Sequence, residues 1–227
     1  MFMLSEVRLP GIELAIIEVG LIFMFSYTLK KNDKDLLELN NILFYWAFFT
    51  FVTGIWETAF LIQYNTTCNT AQKLLEDKSH VWTTKYDLTY IAPWKFSNIF
   101  YAEYGAYADR EYMRVKDDWS RVIEGSHAIL CGIFAFLSII FKIAEKKAHF
   151  YVSISVCMGA QLMNSVLYMI NYFHQMKDPT NVNYITQYFP AGTFLEKRPF
   201  MYINIFWTIM PLYIILILLY IYKDDKS

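Results

Sequence analysis

Five long apolar runs limit what this chain can fold into. They cover residues 12–29, 42–62, 122–141, 150–172 and 200–222. A helix needs roughly 20 apolar residues to cross the ~30 Å hydrocarbon core of a bilayer, and each run is close to that length. Charged residues lie mainly between the runs, which is typical of a polytopic membrane protein. The sequence therefore predicts an all-α protein built as a bundle of five transmembrane helices.

The composition excludes several classes of function. The chain is 56% hydrophobic and 19% aromatic, more than a soluble domain usually is. Its net charge of −1 gives no basic field, so we expect no nucleic-acid partner. Cys131 and Cys157 lie in apolar runs and are predicted to be inert packing residues. Cys68 stands alone in a polar segment, so the sequence predicts neither a disulfide framework nor a metal site.

The chain is predicted to be a single membrane domain over residues 1–227. Residues 65–121 form a long polar segment, which we expect to be a non-cytosolic loop lying partly on the membrane surface. Asn65 begins a glycosylation sequon in this loop, close to the membrane, and whether it is used stays open.

Lysines near the ends of the runs predict the orientation, because cytosolic loops of membrane proteins are rich in positive residues. With five helices, three lysine-bearing segments fall on one side of the membrane. Their lysines are Lys30, Lys31, Lys34, Lys142, Lys146, Lys147, Lys223 and Lys226. We therefore predict a cytosolic C-terminus and an N-terminus on the opposite side.

Polar and ionisable side chains inside the runs are the candidate functional residues, because such groups are costly at membrane depth. They are Glu13, Glu18, Thr53, Glu57, Glu124, His127, Gln161, Asn164, Asn204 and Trp207. Successive helices alternate in direction and rise ~1.5 Å per residue. This geometry predicts that nearly all of these residues lie in the non-cytosolic half of the bundle.

Helical spacing places several of these residues on shared faces. Thr53 and Glu57 are four residues apart, and Glu124 and His127 are three apart. In the fourth run Gln161, Asn164 and Tyr168 follow the same spacing.

Each of these residues also has a structural interpretation. Glu57 is either a helix-to-helix hydrogen-bonding group or a site residue. Gln161 and Asn164 could join helices rather than contact a ligand. Trp207 could anchor the chain at the membrane interface. Glu124 could simply lie at the start of its helix, where the dipole favours a negative charge.

Several motifs, in order along residues 40–222, resemble the emopamil-binding protein family of sterol Δ8–Δ7 isomerases. The fifth run contains Asn204-Ile205-Phe206-Trp207-Thr208-Ile209-Met210-Pro211, which is similar to the family pattern N-x-x-W-x-x-x-P. Residues 158–168, MGAQLMNSVLY, resemble its G-x-Q-x-x-[DG]-x-x-LY helix. Residues 117–124, DDWSRVIE, look like its D-x-F-x-x-x-x-E motif.

Two further segments resemble the same family, whose wider group is called the EXPERA domain. Glu103-Tyr104 followed by Asp109-Arg110-Glu111-Tyr112 resembles the EY…DSRY loop, with altered spacing and an extra residue. Gly54-Ile55-Trp56-Glu57 stands where the family has its second-helix glutamate. The wider group includes the sigma-2 receptor and related proteins that bind sterols or cationic amphiphiles.

The resemblance implies an intramembrane site that moves a sterol ring double bond through a carbocation, without a cofactor or metal. Glu57 and Glu124, with His127, would be the catalytic groups. Trp207 would stabilise the carbocation through cation–π attraction, and the same site would bind cationic amphiphiles. The other ligand-binding positions would be Asn204, Gln161, Asn164, Tyr168 and Thr53.

One position departs from the family pattern. The isomerases carry a histidine one turn before the second-helix glutamate, where this chain has Thr53. Either His127 takes over the proton relay, or the relay is lost and the protein is a non-catalytic member.

The enzyme interpretation implies the endoplasmic reticulum membrane and a sterol or other lipid ligand. The non-catalytic alternatives are a sterol- or lipid-binding protein and an accessory subunit of a larger membrane complex. Such a complex could lie in the mitochondrial inner membrane, with the C-terminus on the matrix side. Besides membrane lipids, a second copy of the chain or other subunits remain open as partners.

Overall fold

The computed structural model describes residues 7–108, 118–175 and 199–224. Five of its helices are long and apolar enough to cross a membrane, which confirms the predicted all-α bundle. They are α1 (Gly11–Asn32), α3 (Asn41–Ile62), α6 (Asp118–Ile143), α7 (Lys147–Gln175) and α8 (Pro199–Asp224). Residues 176–198, between α7 and α8, lie outside the described residues.

Helix α3 is the most buried of the five and runs through the middle of the bundle. It crosses α6 at Gly54 and Gly132, where a Cβ added to either glycine would lie 2.8 Å from the Cα of the other. The two backbones therefore touch, which no larger residue would allow. Helix α7 packs on α6, and α8 packs on α7.

A short helix, α2 (Lys34–Glu38), turns the chain from α1 into α3. The buried ammonium of Lys30 donates hydrogen bonds of 2.5 Å to the carbonyl of Leu36 and 2.6 Å to that of Leu39. These carbonyls lie at the end of α2, where helix geometry leaves carbonyls without intrahelical partners. Asn40 then caps α3 by accepting from the amide of Leu43. Lys30, which served as an orientation signal, thus also fixes the start of α3.

Residues 65–108, expected to belong to a loop, are instead largely folded. They contain α4 (Tyr64–Glu76), β2 (Lys85–Asp87), a 3-10 turn, α5 (Pro93–Glu103) and a π-helical turn (Tyr104–Ala108). Strand β2 pairs antiparallel with β1 (Arg8–Pro10). We call this region the cap. Residues 109–117 of the expected loop lie outside the described part of the chain.

The cap folds because α4, although mainly polar in sequence, has one apolar face that becomes buried. Thr67, Cys68, Ala71 and Leu74 follow helical spacing along α4 and are all buried. Cys68 is therefore a packing residue in a helix and not an isolated thiol in a polar loop. The Thr67 hydroxyl of the Asn65 sequon is buried and donates to the carbonyl of Gln63.

Helix α5 holds the cap against the C-terminal end of α3. The hydroxyl of Ser97 donates to the carbonyl of Trp56 at 2.6 Å, and the amide of Asn98 donates to Gln63 Oε1 at 2.5 Å. At the end of α5, the buried carboxylate of Glu103 accepts from the amide of Val81 at 2.9 Å and lies 2.7 Å from His80 Nδ1. Glu103, part of the resemblance, thus stabilises the cap.

Candidate functional site

A cavity of about 280 Å³ lies between α3, α5, α6, α7 and α8, where the cap meets the bundle. Small-molecule pockets usually begin near ~300 Å³, so this cavity is close to the lower limit for a ligand site. Nine residues that the sequence singled out line its wall: Thr53, Glu57, Glu124, His127, Gln161, Asn164, Tyr168, Asn204 and Trp207. The structure thus brings together residues that are far apart in the chain.

Glu57 lies on α3, one turn beyond the glycine crossing, and its side chain is 5% exposed. The hydroxyl of Tyr101 on α5 donates to Oε1. Oε2 is buried and has no hydrogen-bond partner among the described residues. Leaving a buried polar atom unpaired costs ~1–3 kcal/mol, so this carboxyl is suited to a ligand that supplies the missing partner.

Glu124 is held across the cavity by the neighbouring helix. Asn164 on α7 donates from Nδ2 to Glu124 Oε2 at 3.0 Å. Glu124 and His127 on α6 are close enough to Glu57 to interact with it electrostatically. The arrangement places two carboxyl groups and an imidazole around one small volume, which is the donor and acceptor set that a proton transfer requires.

Gln161 both joins helices and lines the cavity. Its Oε1 accepts from the indole N–H of Trp46 at 2.8 Å, and its Nε2 donates to Thr50 Oγ1 at 3.4 Å. The structural interpretation of this residue is therefore correct, and it does not exclude contact with a ligand. Thr53 donates its hydroxyl proton to the carbonyl of Thr50, one turn back on its own helix, at 2.8 Å.

Aromatic rings form one wall of the cavity. The Trp207 ring centre lies 4.7 Å from that of Trp46 and 5.7 Å from that of Phe49, with the Phe49 ring nearly parallel to it at 12°. Trp207 therefore packs against rings of α3 and lines the cavity. Stacked aromatic faces are electron-rich and attract a cation, so this wall complements a positively charged ligand or intermediate.

Helices α7 and α8 are joined beside this wall by hydroxyl groups. Ser165 Oγ lies 2.7 Å from Thr208 Oγ1, and Ser165 also donates to the carbonyl of Asn204 at 3.1 Å. These bonds fix the rotation of α8, which carries Trp207 into the cavity.

His127 is oriented toward a thiol. Its Nε2 lies 3.2 Å from Sγ of Cys131, one turn further along α6, and Cys131 also lines the cavity. The spacing of four residues could have indicated this pair from the sequence. The contribution of Tyr101 could not have been found in the same way, because its segment was expected to be a loop.

Glu13 and Glu18 on α1 are not among the residues that line this cavity. Glu13 is exposed, and Glu18 is buried beside the indole of Trp56. Trp56 itself lines the cavity, so Glu18 lies behind the wall rather than in it. The cavity therefore does not reach the first helix, although the contact with Trp56 places Glu18 at a depth similar to that of Glu57.

No protein-family model, curated protein or solved structure matches this chain.

Proposed function

We propose that the cavity binds a sterol or a similar rigid amphiphile within the membrane, and that the protein moves a ring double bond of this ligand. The observation that carries the proposal is the arrangement of Glu57, Glu124 and Trp207 around one cavity inside a bundle of apolar helices. A lipid ligand suits the mainly apolar wall, and the carboxyl groups would act on it.

The reaction needs two proton transfers. Glu57, as a carboxylic acid, adds a proton to one carbon of a Δ8 double bond, and the π electrons form the new C–H bond. The other carbon becomes a tertiary carbocation. The carboxylate of Glu124 removes a proton from the next ring carbon, and those electrons form the Δ7 double bond. The substrate and product are isomers, and passage of a proton from Glu124 back to Glu57 restores the starting state.

The carbocation would lie against the aromatic wall. A cation over an indole face is stabilised by ~2 kcal/mol or more when water is excluded. Trp207 would supply that face, and its contacts with Trp46 and Phe49 would hold it in place. A cationic amphiphile would occupy the same position, because its ammonium resembles the carbocation in charge.

A second candidate function is ligand binding without catalysis. The hydroxyl of Thr53 is directed to its own helix, and Nε2 of His127 faces Cys131. Neither contact provides a relay that would return a proton to Glu57. In this alternative the same cavity binds a sterol or another lipid, and the carboxyl groups determine affinity only.

The proposed location is the endoplasmic reticulum membrane, with the C-terminus in the cytosol. The support is the family resemblance and the distribution of lysines. In the accessory-subunit alternative the protein would lie in the mitochondrial inner membrane. The exposed apolar side chains of α1 and α8, such as Phe23 and Leu216, would contact lipid in the first case and also other subunits in the second.

Turnover by the purified protein tests the catalytic proposal. We expect conversion of Δ8 sterols to Δ7 isomers, and a loss of ~100-fold or more in Glu57→Gln and in Glu124→Gln, the usual scale for removing a general acid or base. Glu13→Gln is the matched control, since Glu13 is an exposed glutamate of an apolar helix. Saturable binding without turnover would favour the second candidate, and absence of both would contradict the two of them.

A further inference from the structure

Two cysteines and a histidine form a compact group where α6 crosses α7. Sγ of Cys131 lies 3.2 Å from Nε2 of His127. Cys157 on α7 donates from its thiol to the carbonyl of Cys131 at 3.2 Å. Both thiols are buried, and Cys131 is the one that lines the cavity. The proposed isomerisation uses neither of them.

The imidazole of His127 presents one known nitrogen to this group, since Nε2 is the atom that faces Sγ of Cys131. A neutral imidazole has one N–H donor and one acceptor nitrogen. In the tautomer with its proton on Nδ1, Nε2 accepts the thiol proton of Cys131 at 3.2 Å, which is a shorter contact than the 3.7 Å from the same thiol to the Cys157 carbonyl. A thiol paired with a histidine is the usual arrangement for an activated cysteine nucleophile.

We propose that Cys131 is a reactive thiol that forms covalent adducts with lipid-soluble α,β-unsaturated carbonyl compounds entering the cavity, with His127 as its base. Cys131 is thus a modification site and not an inert packing residue. The proposal does not require isomerase activity, because it depends only on entry of an apolar molecule into the cavity.

The chemistry is an addition of the S–H group across a carbon–carbon double bond. His127 Nε2 takes the thiol proton, and the sulfur electron pair forms a bond to the β-carbon. The π electrons of the double bond move toward the carbonyl and give an enolate. The imidazolium then returns the proton to the α-carbon, which restores the carbonyl and the neutral histidine. All atoms of both reactants are in the adduct, and the step requires no oxidant or reductant.

Two features of the cavity favour a lipid-like electrophile with a polar carbonyl. Its wall is mainly apolar and lies within the membrane helices, so charged or strongly hydrated reagents would have to lose water to enter. Gln161 lies one turn beyond Cys157 on the same face of α7, and its amide nitrogen engages Thr50 only at 3.4 Å. This amide can donate to an incoming carbonyl oxygen. Glu57 Oε2, which has no hydrogen-bond partner within residues 7–108, 118–175 and 199–224, belongs to the same cavity wall.

Covalent labelling of the full chain tests the inference. The purified protein in lipid nanodiscs is incubated with an alkyne-tagged alkyl enal, and adducts are mapped by peptide mass spectrometry. We expect the adduct on Cys131, with little on Cys68 or Cys157. Cys131→Ser should remove the labelling, and Cys68→Ser should leave it unchanged. Because mapping on the wild-type chain already identifies the site, the test does not depend on the variants folding.

The role of the histidine has its own readout. His127→Gln should slow adduct formation by ~10-fold or more, since general-base assistance usually contributes at least this much. The variant's rate should then rise steeply with pH, because thiolate would form only through solvent. Equal labelling of the three cysteines, absence of an adduct on Cys131, or an unchanged rate and pH profile in His127→Gln would overturn the proposal.

A competition arm separates this inference from the proposed sterol site. If a cationic amphiphile protects Cys131 from the enal, both ligands use the same cavity. If Cys131 reacts rapidly and the amphiphile gives no protection, the reactive thiol is supported while the proposed sterol site is contradicted.

Discussion

Glu57→Gln is expected to weaken the binding of a cationic amphiphile by ~10- to 100-fold, because a hydrogen bond to a charged group contributes ~1.5–3 kcal/mol. In the part of the wild-type chain that the structure describes, Glu57 Oε2 is buried without a hydrogen-bond partner, and Glu57 lines the cavity. A ligand ammonium would donate to this oxygen, and its charge would also face the Trp207 ring. The glutamine keeps the size of the side chain but, unlike the carboxyl group, cannot lose a proton to become the negative partner of the ammonium. Saturation binding of a radiolabelled long-chain tertiary amine to nanodisc-embedded protein measures the effect.

Two further variants make this prediction specific. Glu13→Gln should bind like the wild-type chain, because Glu13 is exposed on α1. Tyr101→Phe should weaken binding less than Glu57→Gln does, since it removes only the hydroxyl that orients the carboxyl. Equal affinity of Glu57→Gln and the wild-type chain, with both proteins monodisperse, would exclude Glu57 from the ligand site.

Gly132→Ala is expected to destabilise the bundle by ~1–3 kcal/mol, the usual cost of overpacking a well-packed core. The new methyl group would lie 2.8 Å from the Cα of Gly54, and backbone atoms cannot rotate away as a side chain can. Helices α3 and α6 would have to separate. Since Glu57 lies one turn from Gly54, and Glu124 lies on α6, the separation should also weaken ligand binding. The melting temperature from intrinsic tryptophan fluorescence measures the first effect.

Gly159 provides the matched control for this substitution. It is also a glycine in the interior of a transmembrane helix, but a Cβ there would meet no atom of the described residues within 4 Å. Gly159→Ala should therefore leave the melting temperature unchanged or raise it, because alanine favours a helix over glycine by up to ~1 kcal/mol. Similar losses in Gly132→Ala and Gly159→Ala would show that the close helix crossing is not what stabilises the bundle.

Much of the bundle could be predicted because the relevant signals are local. Hydropathy over about twenty residues defines each span, and the observed helices α1, α3, α6, α7 and α8 extend the predicted spans by only a few residues. Alternating helix direction then predicted that Glu57, Glu124 and Trp207 lie at similar depth. Helix direction depends only on the number of helices that precede it. The depth of residues far apart in sequence could therefore be predicted.

The cap could not be predicted because its composition is polar on average, and an average does not show which side chains are buried. Cys68 and Leu74 are buried in the folded chain, where α4 packs against α5 and the π-helical turn. The same limit applies to the site, where Tyr101 reaches Glu57 from the cap. Hydropathy cannot show whether Trp207 faces lipid or the interior, since an aromatic ring is common in both places. These features depend on contacts between distant segments.

The central claim is that the cavity is a sterol site. Photocrosslinking of a diazirine-bearing sterol to the wild-type chain in nanodiscs tests this claim most directly. We expect saturable crosslinks on residues of the cavity wall, such as Glu57, Tyr168 and Trp207. An excess of unlabelled sterol or cationic amphiphile should remove these crosslinks. The sterol site would be contradicted by crosslinks that lie only on outward-facing residues of α1 and α8, such as Phe23 and Leu216. Such crosslinks would increase with probe concentration without saturating.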